Sequence, residues 1–341
     1  MKEFDIIGLG NSLVDIFLEL TDEEFVDLKF EKGTMRLVES HEQKVLLDGF
    51  RDHEPRLVSG GSVANSIIAC SQLGGKGAFI GCVGDDRYGL HYTEEFAELD
   101  IDFTNSPLVG ETTGTCVSII TPDAERTMRT CLAVSSHLSA RHVPADKIAA
   151  ANWLFVEGYV FANAHTGQHA IREAVRVAKA NGVKIALTCS DAFIPQVFGN
   201  VFREALKQSD LLFCNATEAM AVAGGTNAAD AFGHLKRIVP HCVVTDGPNG
   251  AFVRYAGSEC HVPAFSCRPV DATGAGDMFA GAFLYGLTQD VPPERAARAA
   301  NFLAMKVITQ IGARLHHGTK QFWDDCMALT PQPPLPRGEG E

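Results

Sequence analysis

Residues 269–287 read PVDATGAGDMFAGAFLYGL, and both the fold and the chemistry of the chain turn on them. The pattern is a strand end, a turn of Gly274, Ala275 and Gly276, and a helix that opens at Asp277 with an apolar face. Glycine lets backbone amides approach a ligand with no Cβ in the way. The first amides of a helix lack internal partners and sit at the positive end of its dipole, so the turn predicts an anion hole suited to phosphate. A carboxylate at the mouth of that hole would repel the phosphate. It belongs there if it takes the proton of a hydroxyl attacking the phosphate. The stretch points to phosphoryl transfer to an alcohol with Asp277 as base. An ordinary acidic helix start after a tight turn is the plain alternative.

Working outward, the chain alternates. Strand-like NWLFVEGY (152–159), VKIALTCS (183–190), DLLFCN (210–215) and CVVTDG (242–247) are separated by helical stretches at 165–181, near 197–208, from Thr217, and near 228–239. A hairpin through 251–265 leads to the glycine turn. The alternation predicts an α/β fold with a mostly parallel sheet flanked by helices on both faces, and ligands at the carboxyl ends of its strands. Asp15, Glu157, Asn215, Thr245 and Asp277 all fall at or just past expected strand ends, which argues for one composite site.

The N-terminal DIIGLG (5–10) offers a GxG, but the third glycine of a dinucleotide fingerprint would fall at Leu13. The following VDIFLEL alternates like a strand, so the glycine-to-helix transition of an NAD site is missing. Segments 13–21, 33–39 and 113–130 interrupt the βα alternation, the last as a hairpin turning at Pro122-Asp123-Ala124. They predict a small β-sheet lid, which would keep water from a transferable phosphate. A helix over 294–310 carries Asn301. Residues 1–329 form a single domain in this reading, and 330–341, rich in Pro, Gly and charge, a disordered tail.

The remaining candidates each have a plainer reading. Gly60 and Gly61 precede a helix, SVANSIIACSQ, for which Ser62 is a good N-cap, and Asn65 in its first turn can both donate to and accept from a hydroxyl. Asp15 and Glu157 could hold a sugar's hydroxyls, or be a turn residue and a strand end. Asn215 and Glu218 could order water around Mg²⁺ on nucleotide phosphates, or simply cap a helix. Thr245, Gly247 and Gly250 could cradle a nucleotide, or form a hairpin turn.

Composition narrows the classes. Apolar residues make up 46% of 341, enough for a sizeable core, and the net charge of −13 argues against nucleic acid and anionic membrane surfaces as partners. The first residues, MKEFDIIGLG, do not read as a signal peptide, and no apolar run is long enough for a spanning helix. The ten cysteines never form a CxxC pair, and several sit in apolar runs, as buried thiols of a reducing, cytoplasmic setting do.

GGSVAN (60–65), NATE (215–218), VTDGPNG (244–250) and DATGAGD (271–277), in this order, resemble the ribokinase-like family of sugar and nucleoside kinases. The likeness runs from DIIGLGNSLVD to about Arg314, with Ala272 where the family usually has Thr or Ser. It implies an ATP-dependent kinase with Asp277 as catalytic base and the amides of Gly274, Ala275 and Gly276 as anion hole. By the same likeness Asp15, Gly61 and Asn65 hold the acceptor, and Asn215 and Glu218 serve Mg²⁺, Glu218 through water. Thr245, Gly247 and Gly250 serve ATP, with Asn301 on the adenine side. Asp271 and Thr273 resemble the start of a monovalent-cation (K⁺) loop. GLGNSLVD, TPDAERTMRT, EGY and LTCSDAF resemble adenosine kinases more than ribokinases or fructokinases. Adenosine is then the expected acceptor, with a sugar as the alternative and a non-catalytic nucleoside-binding protein as a different class. Met35, Leu37, Met128 and Phe161 are candidates for the base slot, and the lid edge could pair subunits into a homodimer.

Overall fold

The computed structural model describes residues 2–123 and 125–328; Ala124 of the expected hairpin turn and the expected tail at 330–341 lie outside them. Its strands are β1 (Phe4–Leu9), β2 (Leu13–Glu19), β3 (Met35–Leu37), β4 (Arg56–Gly60), β5 (Gly77–Ile80), β6 (Ile101–Phe103) and β7 (Gly114–Ile120). There follow β8 (Arg126–Cys131), β9 (Ala151–Val156), β10 (Lys184–Thr188), β11 (Leu211–Asn215), β12 (Cys242–Thr245), β13 (Ala251–Tyr255) and β14 (Ser258–Val262). Nine of them make a large sheet in the order β14-β13-β12-β11-β10-β9-β1-β5-β6, parallel except at β13 and β14. The other five make a smaller sheet, β3-β8-β7-β2-β4.

The large sheet is buried on both faces because successive strand residues point opposite ways. Ile6, Phe79, Trp153, Phe155, Phe213 and Val243 pack one face against the helices Ser62–Gln72, Ala275–Thr288 and Pro293–Val307. Their neighbours Ile7, Ile80, Leu154, Val156, Leu212 and Val244 pack the other against helices that include Gly167–Ala180 and Ala228–Leu235. Each large side chain so buried contributes about 1.5–3 kcal/mol. The smaller sheet has its own core on one face only, where Ile16, Leu18, Val117 and Ile119 meet Phe25 and Leu46. Its other face carries Asp15, Phe17, Cys116, Ser118 and Arg126, and looks toward the helix starts described below.

The helix Ala275–Thr288 contains Gly276, Gly281 and Gly286, each costing roughly 1 kcal/mol of helix propensity. Two of these costs have a packing reason. A Cβ on Gly281 would strike the Ser66 carbonyl, and one on Gly286 would lie 2.7 Å from Ala296 Cβ. Glycine at 281 therefore lets this helix press against Ser62–Gln72 so that their first turns lie side by side.

Boundaries differ from the sequence expectation in four places. No strand leads into the glycine turn; Val270 and Asp271 instead donate their amides to the Ile308 carbonyl. The helix opens at Ala275, with Gly274 as N-cap, so Asp277 is its third residue. Gly61, not Ser62, is the N-cap of Ser62–Gln72, because at φ 111° it takes a conformation that a side chain would strain and its missing Cβ clears the Asn11 carbonyl. Asp15 lies inside β2, a strand of the smaller sheet, and not at a strand end.

Candidate active site

Asp277 is fixed by two side chains from the neighbouring helix start. Ser62 Oγ donates to Oδ1 at 2.7 Å, and Asn65 Nδ2 donates to Oδ2 at 3.0 Å. Ser62 and Asn65 are three apart, hence on one helix face. Burial pushes the Asp277 carboxyl up to about 6, and these two hydrogen bonds partly offset it. That leaves a carboxylate at neutral pH that is basic enough to accept a proton.

Three cavities meet around this carboxylate. The first, about 200 Å³, lies at the carboxyl ends of β10 to β12 and is lined by Ser62, Thr188, Asn215, Glu218, Gly276 and Asp277. The second, about 570 Å³ and largely apolar, is lined by Thr245, Gly247, Gly250, Phe265, Gly276 and Asn301. The third, about 210 Å³, holds Asp15, Phe17, Asn65, Glu95 and Arg314. Gly276 borders the first two, and Asn65 joins the third to Asp277. Gly274 adopts φ 77°, where a Cβ would strike the Ala313 backbone. The helix thus starts at the seam between cavities, its Ala275 amide making only a long 3.4 Å bond to the Ala272 carbonyl.

Other candidates land as follows. Asn215 caps the helix Ala216–Ala223 in a reciprocal capping box: Asn215 Oδ1 accepts from the Glu218 amide, and Glu218 accepts from the Asn215 amide and Nδ2. Burial, helped by the charges of Asp191 and Asp277, pushes Glu218 up to about 7 against the Asn215 amide bond. With both oxygens engaged, Glu218 suits an outer-sphere role toward Mg²⁺ through water, and among the described residues no cluster of three or more His, Cys, Asp or Glu could hold a metal. Asn301 Nδ2 donates to the carbonyls of Val262 and Pro263, which steadies a wall of the large cavity.

Asp15 sits with its carboxylate over Gly60, where a Cβ would come within 2.7 Å. Burial pushes it up to about 6 against the charges of Arg126 and Arg314. Glu157 is 1% exposed, behind the helix start; it accepts from Asn11 Nδ2 at 2.8 Å and the Val63 amide at 3.2 Å. Phe161 lies in the core against Phe202, whereas Met35 and Leu37 are exposed on the smaller sheet.

Asp271 and Thr273 hold a cation, but it is a side chain. Arg126 Nη1 lies 2.5 Å from Asp271 Oδ2 and 2.8 Å from Thr273 Oγ1, and Ser118 Oγ accepts from the other end of the guanidinium. Burial works to raise the Asp271 carboxyl, but hydrogen bonds from Thr273 and the Gly312 amide, with the Arg126 charge, hold it below the usual carboxylate range. Arg126, Arg314 and the hydroxyl of Ser62 are the polar groups here that sequence reasoning missed. Ser62 and Asn65 share a helix face, a signal that was available; Arg126 announced itself only as a charge within a strand.

The pfkB family carbohydrate kinase model matches residues 36–318. The chain belongs to this ribokinase-like family and is a phosphotransferase acting on a hydroxyl group of a sugar or nucleoside. It is 30% identical to ribokinase from Haemophilus influenzae over 277 residues, covering 78% of this chain and 86% of that one. It is also 30% identical to adenosine kinase from Sinorhizobium meliloti, with a TM-score of 0.85 over 95% of this chain and 99% of that structure. An Escherichia coli protein solved with ATP and Mg²⁺ shares the fold at 22% identity and a TM-score of 0.75, over 94% of this chain and 99% of that one. No described helix is long and apolar enough to cross a membrane.

Proposed function

We propose that the chain transfers the γ-phosphate of ATP to the primary hydroxyl of a nucleoside, adenosine before others, as in purine salvage in the cytoplasm. The observation that carries this is Asp277, held by Ser62 and Asn65 at the glycine turn where a large apolar cavity and two polar ones meet. The apolar cavity with Thr245, Gly247, Gly250 and Asn301 suits a nucleotide base and ribose. The amides of Gly274, Ala275 and Gly276 receive the phosphate.

As the acceptor oxygen bonds to the γ-phosphorus and the bond to ADP breaks, the hydroxyl proton passes to Asp277. The helix-start amides stabilise the charge on the transferring oxygens. Glu218 would hold Mg²⁺ through water, and the ion would supply neutralisation of that charge. Asp15, Gly60, Gly61 and Asn65 hold the acceptor, with Glu157 supporting them from behind. The smaller sheet acts as the lid of a single kinase domain, fastened through Arg126. K⁺ at Asp271 and Thr273 would have to displace Arg126, so turnover in K⁺ against a tetramethylammonium buffer tests that part.

A sugar acceptor is the second reading, favoured by the likeness to ribokinase at equal identity. ATP consumption with Mg²⁺ against adenosine, inosine, guanosine, ribose and fructose separates the two. Turnover confined to adenosine supports the first, and turnover with a free sugar replaces it with the second.

A further inference from the structure

The loop from Asp271 to Gly274 resembles a monovalent-cation site, yet its oxygens are already engaged. Asp271 is 9% exposed; its Oδ1 accepts from the Thr273 amide at 3.0 Å. Its Oδ2 accepts from the Gly312 amide at 2.8 Å and from Arg126 Nη1 at 2.5 Å. Thr273 Oγ1 accepts from the same Arg126 nitrogen at 2.8 Å, and the nearby Ile308 carbonyl takes the amides of both Val270 and Asp271. K⁺ sheds its water only for several oxygens with lone pairs free to face it. Here N–H donors occupy those lone pairs, so the residues do not fit the ion while Arg126 is in place.

The guanidinium, by contrast, fits closely. Ser118 Oγ accepts from Nε at 3.1 Å and from Nη2 at 2.9 Å, so four of the five N–H groups of Arg126 are used. Its Cζ lies 5.3 Å from the centre of the Phe17 ring, a cation–π contact. The carboxylate it neutralises pins the phosphate turn. The Thr273 and Gly312 amides held by Asp271 are followed by Gly274 and Ala313, whose backbones lie so close that a Cβ on Gly274 would strike Ala313. One carboxylate thus fixes both chain segments that meet where the helix Ala275–Thr288 begins. A buried carboxylate with no positive neighbour takes up a proton and becomes a weaker acceptor, so the pin needs a cation beside it.

We propose that Arg126 takes the place of the monovalent cation: a guanidinium carried by β8 of the smaller sheet, not an ion from the medium, keeps Asp271 charged and orders the turn before Gly274. Arg126 is then a positioning residue, and the protein needs no K⁺. Asp277 keeps its own supports on Ser62 and Asn65. The effect on turnover rests on the kinase reading above; the occupancy of the site does not.

The test compares wild type, Arg126→Ala and Arg126→Lys in KCl and in tetramethylammonium chloride at equal ionic strength, the second cation being too large for the site. Melting temperature is read on the protein alone, and ATP turnover with whichever acceptor the panel above identifies. Wild type should melt and turn over alike in the two salts. Arg126→Ala in tetramethylammonium should lose kcat on the order of ten-fold, the size of a charge-assisted hydrogen bond. K⁺ should recover most of that loss and raise the melting temperature of this variant, because the vacated oxygens now bind it. Arg126→Lys keeps the charge and should ignore K⁺. Wild type that K⁺ activates several-fold or stabilises overturns the proposal, and so does a folded Arg126→Ala that K⁺ leaves unchanged in both readouts. The wild-type and Arg126→Lys arms decide where Arg126→Ala does not fold. Wild type silent with every acceptor overturns the kinase reading alone, since the melting arm still decides the cation.

Discussion

The two halves of the site are built in opposite ways. Asp277, Ser62 and Asn65 stand on two helix starts pressed together at Gly281, each helix backed by the same core as the large sheet. Asp15 and Arg126 stand on a sheet with a separate core, and Arg126 ties it to the Asp271 loop through one ion pair and one hydroxyl. In the proposed reading the group that needs exact placement, Asp277, stands on the first, and the second contributes Asp15 to the acceptor side. The contrast predicts that the smaller sheet moves as a unit without disturbing Asp277.

Asp277→Asn breaks the rigid half at its chemical point. The amide keeps the size and can keep one of the two hydrogen bonds but cannot take a proton. Turnover should fall by roughly 10²–10⁴, with the fold and acceptor binding retained, as checked by kinetics, circular dichroism and calorimetric titration. Near-normal turnover would remove the base assignment.

Gly281→Val attacks the same half through its scaffold. A branched side chain there must push the helices apart, because the atoms it meets include the Ser66 backbone. Misplacing Ser62 and Asn65 by about 1 Å should cost on the order of 10² in kcat, alongside about 1–3 kcal/mol of stability. A stability loss without a kcat loss would show that the helix contact does not set the position of Asp277.

Arg126→Gln loosens the other half. KM for the acceptor should rise roughly ten-fold, the size of a charge-assisted hydrogen bond, and amide exchange should quicken in β7 and β8 but not in Ser62–Gln72. Exchange that quickens equally in both would mean the sheet is not a separate unit.

The same contrast governs what the sequence disclosed. The glycine turn and the helix start that carries Asp277 were legible because the signal is local: their residues are chain neighbours. The βα alternation from residue 152 was legible for the same reason, as was the β7–β8 hairpin. That the shared face of Ser62 and Asn65 would meet Asp277 was not, since Ser62 is 215 residues away, and neither was the tie from Arg126 to Asp271 across 145. Asp15 shows the limit most plainly. A strand of the smaller sheet following Gly10 reads like any strand leaving the core, and only the pairing with β4 and β7 shows that Asp15 lies inside it. Cavities lined by distant segments, such as the one between Asp15 and Arg314, leave no local pattern at all.

Glu157 gives the smallest and most selective probe of the rigid half. Burial pushes its carboxyl from an ordinary 4.5 up to about 7, against hydrogen bonds from the Val63 amide and Asn11. Between those two pH values the folded chain holds more protons than the unfolded one, so the contribution of this acid to stability is complete at low pH and is lost as pH rises through about 7. Glu157→Gln stays neutral throughout. Asn11 can turn its amide over to accept from the new side chain, because its present partner Ser135 carries a hydroxyl that donates or accepts. The variant should therefore melt about 2–4 °C higher than wild type at pH 8, the gain fading as pH falls toward 4.5. The sign of the slope is the test. A gain that persists at pH 4 would mean that packing, not the buried charge, changed; a loss at pH 8 would mean that the charged carboxylate is the form that caps the Ser62–Gln72 helix.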